Sequence, residues 1–119
     1  MSDAVTTIKR LKEVAQTFID QREWSSYHSP KSLSMNIAIE AAELMEKFVW
    51  ITTQESHDQM HKNRQEIEDE LADVFFSVLC FANAANIDLS KAFERKLKEI
   101  DQKYPIEKSK GKATKYTDL

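Results

Sequence analysis

The stretch EIEDELADVFFSVLCFANAA, residues 66–85, decides the fold of this chain. Its beginning is dense in acidic side chains, whereas from Leu71 onward apolar side chains occupy almost every side of a helix. A helix without a polar face is normally surrounded by protein. We therefore predict a helix from about His61 to Ala85 that forms the centre of the molecule. In so small a chain, we expect part of the apolar surface of this helix to be buried against another subunit.

The composition around this stretch also favours helices. The chain has 119 residues, which fits one domain over residues 1–119, and it contains one Gly and two Pro. Strands, tight turns and long loops need those residue types, whereas long helices do not. The sequence therefore predicts an all-α fold.

Apolar spacing and capping residues divide the chain into four helical segments. Besides the central helix, the pattern predicts helices over about Asp3–Trp24, Ser32–Thr52 and Asp88–Lys103. The candidate N-caps are Ser32 or Ser34 for the second helix and Asp88 or Ser90 for the fourth. The polar stretch Thr52–His61 is expected to be a loop or a helix entry, and the Lys-rich residues 104–119 are expected to form a tail.

The charge balance argues against a general nucleic-acid binder. The formal net charge is −3, whereas such proteins normally carry a basic field. No apolar stretch is long enough to span a bilayer, and no secretory signal is recognisable. Cys80 is the only cysteine and lies in an apolar run, so we expect a buried thiol in a reducing compartment. These features predict a cytoplasmic protein with no nucleic-acid and no membrane partner.

Two pairs of acidic residues carry the chemistry. Glu40 with Glu43, and Glu70 with Asp73, are each spaced i, i+3, so each pair projects from one helical face. If the two helices form an antiparallel hairpin, the four carboxylates converge between them. Clustered carboxylates are tolerated when a cation neutralises them, and Mg²⁺ takes oxygen ligands together with substrate phosphates. The pattern therefore indicates a divalent-metal site for phosphoanhydride hydrolysis.

Other interpretations remain open from the residues alone. Acidic pairs in helices commonly line a solvated face, so the chain could be a non-catalytic helical oligomer that acts as an interaction module. His57 and His61 are spaced for zinc, but no third ligand accompanies them. Ferritin-like di-iron proteins add a Glu-x-x-His pair on each of two helices, and this chain has none.

The two acidic pairs and several flanking segments resemble a known family. Glu40-x-x-Glu43, followed by Glu70-x-x-Asp73, resembles the metal signature of the MazG-type all-α nucleotide pyrophosphohydrolases, and the dCTP pyrophosphatase branch above all. The flanking segments that match are Arg22-Glu23-Trp24, Tyr27-His28-x-Pro30-Lys31-x-Leu33, Phe48-x-Trp50, Lys103-Tyr104-Pro105 and Lys110-Gly111-x-x-x-Lys115-Tyr116-Thr117-Asp118-Leu119.

The resemblance implies a fold and an activity. Members assemble as homodimers or homotetramers of four-helix-bundle type, bind Mg²⁺ and release pyrophosphate from nucleoside triphosphates. The dCTP branch acts on dCTP and on base-modified relatives, which keeps modified nucleotides out of DNA. A substrate such as dUTP or phosphoribosyl-ATP, used elsewhere in the superfamily, is the alternative.

The resemblance also implies roles for individual residues. The metal ligands would be Glu40, Glu43, Glu70 and Asp73, and either Glu43 or Glu70 would be the general base. The residues expected to contact substrate are Trp24, His28, Trp50 and Ser77 in the base and sugar pocket, and Lys115 and Tyr116 near the phosphates. Trp50 lies seven residues after Glu43, which in a continuous helix is two turns along the same face.

Two positions depart from the branch. Ser77 stands where a Tyr is common, four residues after the last acid of the motif, and Ile100 stands where many relatives carry Asn. These departures leave the acidic motif intact and bear on base and sugar selectivity.

Overall fold

The computed structural model describes residues 1–119, and every regular element in it is helical. The α-helices are α1 (Ile8–Gln21), α2 (Pro30–Glu46), α3 (Thr53–Lys62), α4 (Arg64–Ala84), α5 (Leu89–Lys103) and α6 (Ile106–Ser109), with 3₁₀ turns at Ser25–Tyr27 and Tyr116–Asp118. The predicted all-α class is confirmed. No single helix combines the length and apolar composition needed to cross a bilayer; only α4 and α5 counted together across their break meet that criterion.

The chain divides into two compact units, Met1–Asn86 and Ile87–Leu119. In the first unit, α4 packs against α1, α2 and α3, which is the central position expected for it. The buried core residues are Ala15, Ile19, Leu33, Ile67, Leu79, Cys80 and Ala82. The predicted single domain with a tail stays a prediction. Within the second unit, residues 104–119 contain α6 and a 3₁₀ turn, so that segment has more regular structure than expected of a tail.

Helices α2 and α4 run antiparallel. Asn36 on α2 contacts Ser77 on α4, and eleven residues later Lys47, the C-cap of α2, contacts Glu66 near the start of α4. Residue numbers rise along one helix as they fall along the other, so the expected hairpin is present. The connection between these helices contains α3 and is longer than the sequence suggested.

The helix boundaries differ from expectation where local capping was missed. The second helix begins at Pro30, and its cap is Ser29, whose hydroxyl accepts from the Ser32 N–H, so the assignment of the cap to Ser32 or Ser34 is wrong. Proline suits the first position of a helix because that position needs no N–H donor. The first helix likewise begins at Ile8, with Thr7 as its cap, rather than near Asp3.

The stretch expected to be a loop or helix entry is α3. Thr52 and Glu55 form a capping box in which each side chain accepts from the other residue's backbone N–H. That box requires extended backbone at Thr52, so α2 cannot continue to Thr52 as expected and ends at Glu46. The fourth predicted helix is close to expectation, with Asp88 as the cap of α5.

Candidate metal centre and adjoining cavity

Three of the four predicted metal ligands come together between α2 and α4. Glu40, Glu43 and Glu70 each place a carboxylate oxygen so that the three oxygens lie within 4.8 Å of one another. The i, i+3 spacing puts Glu40 and Glu43 on one face of α2, and the antiparallel register turns Glu70 toward them. Asp73 is not part of that group, although its charge acts on Glu40.

Burial and acidic neighbours dominate the electrostatics of Glu40 in this cluster. Burial raises the pKa of Glu40, and the carboxylates of Glu43 and Asp73 raise that pKa further. One oxygen of Glu70, Oε2, is buried without any hydrogen-bond partner. A buried carboxylate oxygen is normally paired or bound to a metal. The residues therefore fit a divalent cation, because carboxylate oxygens are the ligands that Mg²⁺ and similar hard cations prefer.

Polar pairs flank the carboxylates along the groove between α2 and α4. On one side, the Asn36 Nδ2 donates to Ser77 Oγ at 2.8 Å. On the other, the Lys47 Nζ lies 3.0 Å from Glu66 Oε2, and this hydrogen bond raises the pKa of Lys47. Each pair is about one helical turn from its neighbour along both helices. The groove thus presents an amide–hydroxyl pair, then the acids, then a lysine–glutamate pair.

A cavity of about 300 Å³ opens beside the amide–hydroxyl end of the groove. Its lining consists of Ile19, Trp24, Tyr27, His28, Ser32, Leu33, Asn36, Phe76, Ser77 and Cys80. Three predicted substrate-contacting residues, Trp24, His28 and Ser77, are therefore brought together. An apolar, partly aromatic cavity with a few polar groups is the usual form of a small-molecule site. Burial raises the pKa of the Cys80 thiol, which keeps it protonated and a poor nucleophile.

The end of α1 fixes Trp24 at this cavity. Glu23 adopts a left-handed backbone with φ 52°, and the Trp24 N–H donates to the Ile19 carbonyl at 3.1 Å. This is a Schellman-type helix end, which returns the following residue onto the last turn of its helix. The Trp24 ring also meets the Phe18 ring edge to face, with centroids 6.0 Å apart. Local backbone geometry therefore sets one aromatic wall.

The structure does not bring Trp50 to the cavity. Because α2 ends at Glu46, the expected face shared by Glu43 and Trp50 does not exist, and Trp50 is 91% exposed. Lys115 and Tyr116 belong to the second unit. There the Tyr116 ring packs against Tyr104, with centroids 5.9 Å apart. The substrate roles expected for these three residues stay predictions.

Sequence reasoning missed Asn36 and Lys47. A spacing signal was present for both, since Asn36 precedes Glu40 by four residues and Lys47 follows Glu43 by four. Positions four apart share a helical face. Polar residues at that spacing from a metal motif are therefore candidates for the same groove.

The fold and the groove together define a class: all-α proteins that carry a carboxylate cluster suited to a divalent cation beside a small-molecule cavity. Within that class, the MazG-like family matches residues 35–119. The chain belongs to this family.

Individual proteins are similar to the chain over most of its length. The chain is 32% identical to dCTP pyrophosphatase 1 from Rattus norvegicus and 28% identical to that from Homo sapiens, in each case over 95% of this chain and 68% of the relative. It also superimposes on the crystal structure of a pyrophosphatase from Archaeoglobus fulgidus with a TM-score of 0.80 and 33% identity, covering 88% of this chain and 98% of that one. The chain is an enzyme of the pyrophosphohydrolase class.

Proposed function

We propose that this protein hydrolyses a (deoxy)nucleoside triphosphate to the monophosphate and pyrophosphate with the help of Mg²⁺, and that dCTP or a base-modified relative is its preferred substrate. The observation that carries this proposal is the cluster of Glu40, Glu43 and Glu70 one helical turn from an aromatic cavity. The relatives named dCTP pyrophosphatase 1 support the choice of substrate.

Glu40, Glu43, Glu70 and Asp73 would hold the metal. When bound, Mg²⁺ offsets charge on the phosphate oxygens and makes the phosphorus more open to attack. Glu43 or Glu70 accepts a proton from the attacking water. The water oxygen bonds to the α-phosphorus as the bond from that phosphorus to the pyrophosphate oxygen breaks. Glu43 and Glu70 belong to the same cluster of carboxylate oxygens, so either would be placed to accept that proton.

The cavity would receive the nucleoside. Trp24 and Phe76 offer aromatic surface to a base, and His28 offers ring nitrogens for hydrogen bonding. Ser77 completes the wall nearest the acids. We place Lys115 and Tyr116 near the phosphates, and Trp50 near the base, on the strength of the family resemblance alone.

We further propose that the enzyme is a cytoplasmic homodimer or homotetramer, with no nucleic-acid or membrane partner. The supporting feature is apolar surface on the two central helices of the first unit. Met35 and Ile39 on α2 and Leu71 on α4 are each more than half exposed, and such surface normally marks an interface. Size-exclusion chromatography with light scattering would show a single monomeric species if this is wrong.

A nucleotide panel tests the activity. Pyrophosphate release is measured from dCTP, 5-methyl-dCTP, dUTP, dTTP, dATP, dGTP, CTP and phosphoribosyl-ATP, each with Mg²⁺ and with excess EDTA. We expect turnover that EDTA abolishes, with the highest kcat/KM on dCTP or its methylated form. Turnover of another triphosphate would reassign the substrate, and no turnover of any would favour a non-catalytic helical oligomer.

A further inference from the structure

Asn36 and Ser77 form the amide–hydroxyl pair at the cavity end of the groove. Asn36 Nδ2 donates to Ser77 Oγ at 2.8 Å across the interface between α2 and α4. Ser77 is 2% exposed and is the one polar side chain in the chain that is fully buried. Both residues line the cavity of about 300 Å³.

The helix register fixes where this pair lies along a bound triphosphate. Asn36 precedes Glu40 by one turn of α2, and Ser77 follows Asp73 by one turn of α4, a displacement of about 5.4 Å along the groove. The next group after the α-phosphate of a nucleotide is its sugar, followed by the base. With the phosphates at the acids and the base in the aromatic cavity, the pair lies beside the sugar.

The hydrogen-bonding capacity that remains on the pair matches a hydroxyl group. After donating to Ser77, the Asn36 amide still has one N–H and its carbonyl oxygen, and no other hydrogen bond uses them. A hydroxyl both donates and accepts, so it can satisfy these two groups together. Asn36 is also the only amide side chain among the lining residues. In a deoxynucleotide, the 3′-hydroxyl is the only hydroxyl that the sugar retains.

We propose that Asn36 hydrogen-bonds the 3′-hydroxyl of the substrate's sugar, and that Ser77 is a positioning residue that holds the Asn36 amide in place for this contact. The pair then selects triphosphates that carry a free 3′-hydroxyl. This inference rests on the proposed function and adds to it the part of the substrate that the groove recognises.

The test compares a triphosphate with its 2′,3′-dideoxy counterpart. The pair of substrates is the best triphosphate of the panel and the same nucleotide without the 3′-hydroxyl, for example dCTP and ddCTP. The readout is the ratio of their kcat/KM values. In the unmodified enzyme we expect ddCTP to be disfavoured roughly 10-fold, because its binding leaves the amide without a partner.

Four variants, three at the pair and one control, distinguish loss of the contact with the 3′-hydroxyl from a general loss of helix packing. Asn36→Ala should bring the ratio to within about twofold of unity, since the discriminating contact is gone. Asn36→Leu has nearly the size of the asparagine side chain and serves if the alanine variant fails to fold; it can neither donate nor accept a hydrogen bond and should also lower the ratio. Ser77→Ala should give an intermediate ratio, because the amide remains but is no longer held.

Asn83→Ala is the matched control. The Asn83 Nδ2 donates to the Lys12 carbonyl at 2.8 Å, so this variant also removes an amide hydrogen bond between two helices. Asn83 does not line the cavity that holds Asn36. A variant that only weakens packing should lower turnover of both substrates equally and leave the ratio unchanged.

The possible outcomes are distinct. A ratio that collapses in Asn36→Ala but persists in Asn83→Ala supports the proposal. Equal turnover of dCTP and ddCTP by the unmodified enzyme, or an unchanged ratio in both Asn36 variants, overturns it while leaving the proposed activity in place. Failure of the unmodified enzyme to hydrolyse any triphosphate would instead refute the proposed activity itself.

Discussion

Glu40 on α2 and Glu99 on α5 are the same residue type in opposite electrostatic settings. Glu99 Oε1 accepts hydrogen bonds from Lys103 at 2.7 Å and from Lys96 at 2.8 Å, and these partners lower its pKa to about 2. Glu40 has no such cation, and burial together with Glu43 and Asp73 raises its pKa. The charge of Glu99 is paired with lysines, whereas the charge of Glu40 is surrounded by other acids.

The difference lies in where the neighbours come from. Glu99 finds its lysines three residues before and four residues after it on α5, so its pairing depends only on local spacing. Glu40 meets acids from its own helix and from α4. The nearby Lys47 is hydrogen-bonded to Glu66 and its charge also acts on Glu70, but only acidic groups act on Glu40. Unmatched charge of this kind weakens the metal-free fold and is retained at sites that bind a cation.

The largest expected effect concerns activity. Glu43→Gln and Glu70→Gln should each lower kcat/KM on the best triphosphate by about 10²-fold or more, because each removes a charge from the ligand set. Glu99→Gln, which makes the same chemical change on α5, should stay within about twofold, since Glu99 is not among the clustered acids. The measurement is pyrophosphate release at saturating Mg²⁺.

Glu46→Gln on α2 provides a second control, because Glu46 is exposed and outside the cluster. If it impaired turnover as much as Glu43→Gln does, the comparison between matched and unmatched glutamates would fail.

The next effect concerns stability in the presence of metal. Mg²⁺ at 100 times its dissociation constant should stabilise the unmodified protein by about 2.7 kcal/mol, because an ion that binds only the folded state shifts the unfolding equilibrium. The stabilisation should be largely lost in Glu70→Gln and kept in Glu99→Gln. Thermal unfolding followed by circular dichroism, with Mg²⁺ and with EDTA, gives both values; equal shifts in the two variants would contradict the assignment of the site.

The third effect concerns the metal-free protein and its dependence on pH. A carboxyl whose pKa is raised on folding binds its proton more tightly in the folded state, so stability falls as pH rises from the unfolded value of 4.5 through the folded pKa. Glu40→Gln should remove this loss and raise the free energy of unfolding at pH 7 by about 0.5 kcal/mol in EDTA. Urea unfolding at pH 5 and pH 7 tests this.

Glu99→Gln should change the free energy of unfolding in the opposite direction to Glu40→Gln, and by the smallest amount of all these variants. The lowered pKa of Glu99 means that its contribution is present above the unfolded value of 4.5 and is lost as pH falls toward about 2. Its removal should therefore lower stability slightly at pH 7 and have less effect in acid. Glu99 is fully exposed to solvent screening, so a loss larger than the gain in Glu40→Gln would contradict the comparison.

The sequence predicted those parts of the molecule that depend on short-range periodicity. The acidic pairs at i, i+3 and the apolar run from Leu71 specified two long helices and the face that carries the carboxylates. Convergence of Glu40, Glu43 and Glu70 followed from their antiparallel packing. The signals of the capping box at Thr52 and of Pro30 at the start of α2 were present in the sequence, but apolar spacing outweighed them.

Other features depend on packing that no local pattern encodes. The pairing of Asn36 with Ser77 joins residues 41 positions apart and exists only in the assembled hairpin. The left-handed backbone at Glu23 is uncommon for a residue with a side chain, so propensity did not predict the turn that places Trp24. The predicted role of Trp50 required a continuous helix, which the turn after Glu46 interrupts.

The antiparallel register of α2 and α4 restricts where the chain can change in length. One inserted residue rotates the rest of a helix by about 100°, so an insertion between Glu70 and Ser77 would move the Ser77 hydroxyl away from Asn36. The connection over residues 47–63 sets none of the pairings among Asn36, Ser77 and the clustered acids. Natural insertions and deletions among relatives are therefore expected in that connection. There they leave the spacing between the Asn36–Ser77 pair and the clustered acids unchanged.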